Sequence, residues 1–87
     1  MKIYRVYYHP QFRRSLLALP KEVQKIADRK IFLFKNNPFK GILKTHKLSG
    51  KLNNHWSFTI KSQYRVIFIF DNNDVIFLDI GSHDIYR

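Results

Sequence analysis

Eighty-seven residues, 45% apolar and 16% aromatic, suffice for one modest hydrophobic core, so residues 1–87 are expected to form a single domain. The chain has no cysteine, which excludes disulfide scaffolds and zinc ribbons and makes an intracellular, cytoplasmic protein the default expectation. Sixteen Lys and Arg against six Asp and Glu give a net charge of +10, a one-signed field that suits a polyanion, and nucleic acid is the commonest polyanion in a cytoplasm.

The N-terminus, Met1-Lys2-Ile3-Tyr4-Arg5, lacks the charged-then-apolar layout of a signal peptide. No apolar run in the chain approaches the ~20 residues of a membrane helix, so no membrane partner is expected. Ile3–Tyr8 alternates tyrosine and valine with charge and reads as a first strand ending near His9. A first helix follows from Pro10 or Gln11 to Leu19, with Phe12, Leu16 and Leu19 on one face. Pro20 breaks it and opens the next helix in its first turn, where a missing N–H costs nothing. That second helix runs to about Lys35. Val23, Ile26, Ala27, Ile31 and Phe34 recur at helical spacing and mark its buried stripe. Phe32 and Leu33 fall outside the stripe and are read as additional core, the other reading being a spot where a partner helix docks.

Asn36-Asn37-Pro38 ends the helix, because the residue before proline avoids helical geometry. Residues 39–54 read as loop, with Gly41, Gly50 and the lysines Lys40, Lys44, Lys47 and Lys51. Three strands then follow, at about 56–60, 64–70 and 75–80, the last two joined by the turn Asp71-Asn72-Asn73-Asp74. The order βααβββ predicts an α+β fold with two N-terminal helices packed on one face of a small, mainly antiparallel sheet. Whether the first strand pairs with the last is left open.

Parity decides what the first hairpin exposes. A two-residue loop at Ser62-Gln63 would pair Ile60 with Arg65 and put a guanidinium among apolar side chains. A three-residue loop, Lys61-Ser62-Gln63, pairs Ile60 with Tyr64, Phe58 with Val66 and Trp56 with Phe68. The second register is expected. It sets Arg65 beside Thr59 on the face away from the helices, which spares a permanent charge from burial. A structural pairing of Arg65 with Asp79 across the sheet is the plainer alternative to a functional role.

From Arg29 through Phe70 there are nine Lys and Arg and no acidic residue. Nucleic acid, or an acidic protein partner, is favoured over anionic lipid or a plain solvated surface. The histidines His9, His46, His55 and His83 show no metal-ligand spacing, and no cofactor is expected. His9 reads as a strand-end residue without a role. Phosphate-binding glycine loops, a nucleophile elbow and paired carboxylates are absent from the sequence. The remaining inventory is imidazoles, an arginine, lysines and a terminal tyrosine, which can cleave RNA without a metal. Imidazole exchanges protons near neutral pH, guanidinium and ammonium hold the charge of a pentacovalent phosphate, and an aromatic ring stacks a base.

Taken together, Phe12-Arg13-Arg14-Ser15-Leu16, Leu19-Pro20, Asn37-Pro38, the loop His46-Lys47-Leu48-Ser49-Gly50, Trp56-Ser57-Phe58, Tyr64-Arg65-Val66-Ile67-Phe68 and Ile80-Gly81-Ser82-His83-Asp84-Ile85-Tyr86 resemble the RelE/ParE superfamily of toxins from bacterial toxin–antitoxin pairs. The Gly-Ser-His ending and the His-x-Leu-x-Gly loop are similar to the YafQ-like branch of ribosome-dependent mRNA endonucleases. The resemblance implies a toxin that cuts mRNA on the ribosome and so inhibits translation, with a cognate antitoxin, the ribosome and mRNA as partners. It implies catalytic roles for His46, Arg65, His83 and Tyr86. RNA contacts are expected from Lys44, Lys47, Lys51, His55 and Lys61. Ser57 and Thr59 stand where RelE carries lysines, Thr59 also where the YafQ-like branch has a second histidine, and Asp79 where that branch carries an arginine. The rival readings are a ParE-like inhibitor of DNA gyrase, which needs neither His46 nor His83, and a basic RNA-binding domain without catalysis.

Overall fold

A computed structural model describes residues 2–50 and 54–82. Its elements run β1 (Val6–Tyr8), α1 (Pro10–Ala18), α2 (Lys21–Asn36), a 3-10 turn (Gly41–Leu43), β2 (His46–Lys47), β3 (Trp56–Lys61), β4 (Tyr64–Asp71) and β5 (Asp74–Gly81). This is the expected α+β order with one strand added. β2 falls inside the segment read as loop; two residues are too few to show an alternation that sequence could reveal.

Local chemistry accounts for the helices. His9 is the N-cap of α1, its Nδ1 accepting from the Gln11 N–H at 2.9 Å, so a residue given no role in fact starts the helix. Pro10 occupies the first turn, where it forfeits no hydrogen bond. α1 ends at Ala18, and Gln24 of α2 donates to the Leu19 carbonyl at 2.9 Å, satisfying part of the exposed C-terminus of α1. Pro20 caps α2 from outside rather than lying within it, and Glu22 in the first turn and Lys35 in the last suit the helix dipole.

Val23, Ala27, Ile31 and Phe34 are buried as their spacing predicts, with Ile26 partly buried beside them. Phe32 departs from expectation: it is 65% exposed, and Leu33 is only half-buried. Each residue turns the helix by about 100°, which swings position 32 off a stripe centred on 27, 31 and 34.

Among the described residues, five strands form one mixed sheet in the order β1-β5-β4-β3-β2. β1 runs parallel to β5, so the first strand does pair with the last, and the other neighbours are antiparallel. The helices cover one face. Phe34 stacks on Phe58 with centroids 4.5 Å apart and meets Phe68 and Phe77 edge-on at 4.9 and 5.5 Å. These rings, with Phe12, Val66, Val75 and Ile80, are the centre of the core.

Two irregularities fix which side chains face which way. β3 and β4 pair Trp56 with Phe68, Phe58 with Val66 and Thr59 with Arg65, then jump to Lys61 with Tyr64. The turn is therefore two residues, Ser62 and Gln63, with Ser62 at φ 49°, and not the expected three. Ile60 is an extra, unpaired residue that absorbs the parity change, so the expected faces survive by a different route. In β5, Phe77 pairs with Phe68 but Asp79 with Ile67, leaving Leu78 as the extra residue. That offset lets both Phe77 and Ile80 point into the core, where they are 0% and 1% exposed. At the β4–β5 turn, Asp71 pairs with Asp74 and Asn72 takes φ 58°, as expected for a two-residue loop.

Candidate functional site

The registers assemble two transverse rows on the face away from the helices. In one, His46 of β2 opposes Ser57, Ser57 opposes Ile67, and Ile67 opposes Asp79. In the next, Thr59 opposes Arg65, and Arg65 opposes Gly81. Residues directly opposite in an antiparallel pair share a face, so His46 and Arg65 stand on the same side of the sheet. They are two strand spacings apart, about 10 Å, and two residues apart along the strands, about 7 Å. A phosphodiester fits between an imidazole and a guanidinium projecting from such positions.

This face is less bare than parity alone suggests. Ser57 is 0% and Ile67 5% exposed, while Thr59 and Arg65 are half-buried. Ser57 is a small side chain flanked across the ladder by the larger His46 and Ile67. Asp79 is not directly across from Arg65, and its Oδ1 accepts from the Ile80 N–H at 2.8 Å. Gly81, which is across from Arg65, puts no side chain beside the guanidinium stem.

The His46 ring is held. Its Nδ1 lies 2.9 Å from the carbonyl oxygen of Lys44. A carbonyl can only accept, so Nδ1 carries the hydrogen and the neutral ring presents Nε2 as its free acceptor. The Lys44 carbonyl is in place because Lys44 caps the Gly41–Leu43 turn in the left-handed conformation, at φ 50° and ψ 41°. Left-handed lysine is uncommon, and the sequence reading took Lys44 as an RNA contact through its side chain. No sequence signal marks the role of its backbone.

The other expected contacts divide. Lys47 pairs with Trp56 and Lys61 with Tyr64, which puts both on the helix-bearing side, away from Arg65. His55 is half-buried, and its Nδ1 donates to the Asn54 side-chain oxygen at 3.0 Å. Its carbonyl accepts from Leu48 at 2.8 Å, closing the end of the β2–β3 pair. Lys44 is exposed. His83, Tyr86 and Lys51 lie outside the described residues. Among the described residues no group of three His, Cys, Asp or Glu could hold a metal ion, and no helix is long and apolar enough to cross a membrane.

A second feature lies on the helical side. Tyr8, Phe12, Leu16, Ile31 and Phe32 line a groove of about 400 Å³ between α1 and α2, with Arg13, Lys35 and Asp28 at its walls. Arg13 and Lys35 each sit over the Tyr8 ring, 5.2 and 5.8 Å from its centroid. The exposed Phe32 belongs to this groove.

Comparison with known proteins gives a family. A model described as bacterial toxin of type II toxin-antitoxin system, YafQ, matches residues 4–86. No curated protein matches the sequence. Among solved structures, YafQ from E. coli strain BL21(DE3) superposes with a TM-score of 0.78 at 16% identity, covering 93% of this chain and 94% of that one. The toxin–antitoxin complex RelBE2 from Mycobacterium tuberculosis matches with a TM-score of 0.76 at 21% identity, covering 93% and 99%. The E. coli DinJ–YafQ toxin–antitoxin complex matches with a TM-score of 0.76 at 16% identity, covering 98% and 97%. At these identities the structures establish the fold.

Proposed function

Because the chain belongs to the YafQ family of type II toxin–antitoxin toxins, we propose that it inhibits translation by cutting mRNA on the ribosome. The observation that carries this reading is the placement of His46 and Arg65 on one sheet face, with the His46 ring fixed so that Nε2 is free. In the reaction, an RNA 2′-hydroxyl attacks the adjacent phosphorus and its proton passes to His46 Nε2. The bond from phosphorus to the 5′-oxygen breaks, and that oxygen takes a proton from His83. The products are a cyclic 2′,3′-phosphate and a 5′-hydroxyl. Arg65 stabilises the charge that gathers on the phosphorane, and Tyr86 stacks against a base. No metal takes part. His83 stands two residues after Gly81, the cross-strand partner of Arg65, and that proximity in sequence supports its assignment.

The basic run from Arg29 to Phe70 suits RNA, ribosomal or messenger, with Lys44, Lys47, Lys51, His55 and Lys61 as contacts. The whole chain acts as one toxin domain in the cytoplasm, where ribosomes are. A cognate antitoxin neutralises it, as the DinJ–YafQ and RelBE2 complexes suggest by analogy. The groove between α1 and α2 suits an apolar anchor flanked by carboxylates, given Arg13 and Lys35 at its mouth. A gyrase inhibitor of the ParE kind would have no use for an oriented imidazole, so the fixed His46 favours cleavage.

The test is in-vitro translation with the unmodified protein and with His46→Ala, Arg65→Ala and His83→Ala, mapping the 5′ ends of the mRNA fragments. Loss of cleavage in all three supports the reading. Cleavage at the unmodified rate in all three, or inhibition of DNA gyrase without any mRNA cleavage, rejects it.

A further inference from the structure

β2 is the outer strand of the sheet, and its two residues face opposite ways. His46 opposes Ser57 on the side of Arg65, whereas Lys47 opposes Trp56 on the other. Around Trp56 lies an aromatic corner formed with Phe39 and Phe70. Phe39 meets Trp56 edge-on at 5.8 Å and lies nearly parallel to Phe70, at 23° and 6.2 Å. Trp56 and Phe70 are 5.2 Å apart, again edge-on.

Phe39 is 48% exposed and its neighbour Ile42 54%, although the backbone carrying them is well fixed. The Phe39 N–H donates to the Asn37 side-chain oxygen at 3.1 Å, Pro38 is fully buried, and the Thr45 hydroxyl donates to the Pro38 carbonyl. A large ring held half in water by a rigid turn is already organised for a ligand and loses little freedom on binding. Lys40 follows Phe39 in the chain and Lys47 opposes its ring partner Trp56; both are exposed, as is Lys44, and no acidic residue occurs between Arg29 and Phe70.

We propose that this corner is a second RNA subsite, a platform on which an unpaired base stacks against Phe39 while Lys40, Lys44 and Lys47 hold the flanking phosphates. The inference rests on the reading of the protein as RNA-directed and adds a contact that the cleavage chemistry does not require. Aromatic rings set among lysines are what single-stranded nucleic acid needs, since every base has a face to stack and every linkage a charge to neutralise. The position also suits continuity: a strand lying over His46 has only to cross the two-residue edge strand to reach Lys47 and Phe39. The two sites thus grip one RNA from opposite sides of the β2 edge.

Trp56 is the single tryptophan, so its fluorescence reports on this corner directly. The experiment titrates the unmodified protein with 2′-O-methyl oligouridylate, which cannot undergo 2′-hydroxyl attack. Quenching that weakens with added salt is expected. Phe39→Leu should lower the affinity about fivefold to a hundredfold, and Phe39→Tyr should retain it. Lys40→Gln combined with Lys47→Gln changes only exposed side chains and should flatten the salt dependence. The proposal is overturned if Phe39→Leu, folded as judged by its unfolding midpoint, binds and quenches like the unmodified protein. It is equally overturned if anionic phosphatidylglycerol vesicles or polyglutamate quench Trp56 and the oligonucleotide does not. Failure of mRNA cleavage with quenching intact would count against the catalytic reading alone, and intact cleavage without quenching against this subsite alone.

Discussion

Lys30 Nζ, from the middle of α2, donates to the carbonyl oxygen of Ile60 at 3.1 Å. Ile60 is the residue that the β3–β4 ladder skips, with no residue opposite it in the register. A helix side chain thus hydrogen-bonds the carbonyl of the residue at the irregularity. The irregularity is also what sets Arg65 opposite Thr59, because without it the two-residue turn would pair Arg65 with Ile60. The orientation of the candidate catalytic arginine is thus tied to a lysine on the far side of the sheet.

Lys30→Met should therefore lower stability by about 1–3 kcal/mol, the cost of stranding a partly buried carbonyl. Urea denaturation measures it. A shift below about 0.5 kcal/mol would mean that water replaces the ammonium at no cost.

The start of α1 gives a second stability test. His9→Ala removes the acceptor for the Gln11 N–H and should cost about 1 kcal/mol, while His9→Asn keeps a capping oxygen and should restore most of it. Thermal unfolding of the two variants side by side separates the cap from general disturbance of the β1–α1 junction.

Arg65→Ala should reduce mRNA cleavage about 10²- to 10³-fold, in the range seen when one stabiliser of transition-state charge is lost. His46→Ala should reduce it about 10²- to 10⁴-fold, as for loss of a general base. Single-turnover cleavage on programmed ribosomes is the measurement, with unfolding midpoints taken in parallel. Parallel losses of activity and stability would point to damage to the sheet instead.

Neighbouring phenylalanines on α2 should behave oppositely. Phe34 is 0% exposed among three other rings, and Phe34→Ala should cost about 3–5 kcal/mol. Phe32 is 65% exposed, and Phe32→Ser should stay within about 0.5 kcal/mol. If the groove between the helices receives the antitoxin, Phe32→Ser should still weaken that complex, which titration calorimetry would detect.

Much of the architecture was legible because period and punctuation are local. The helical spacing of Val23, Ala27, Ile31 and Phe34, the prolines at 10, 20 and 38, and the Asn72-Asn73 turn act within a few residues of themselves. Parity likewise placed Arg65 opposite Thr59, since burying a guanidinium among rings would be costly whatever the turn. Four features were not legible, three of them because they depend on partners distant in sequence. The parallel pairing of β1 with β5 joins segments separated by most of the chain, and β2 exists only because β3 lies beside it. The His46 tautomer follows from a left-handed lysine carbonyl, and Ile60 is held by Lys30 from another element. In each case the deciding partner is a backbone N–H or carbonyl, which every residue can offer and no residue type announces, so it became visible only in the folded chain.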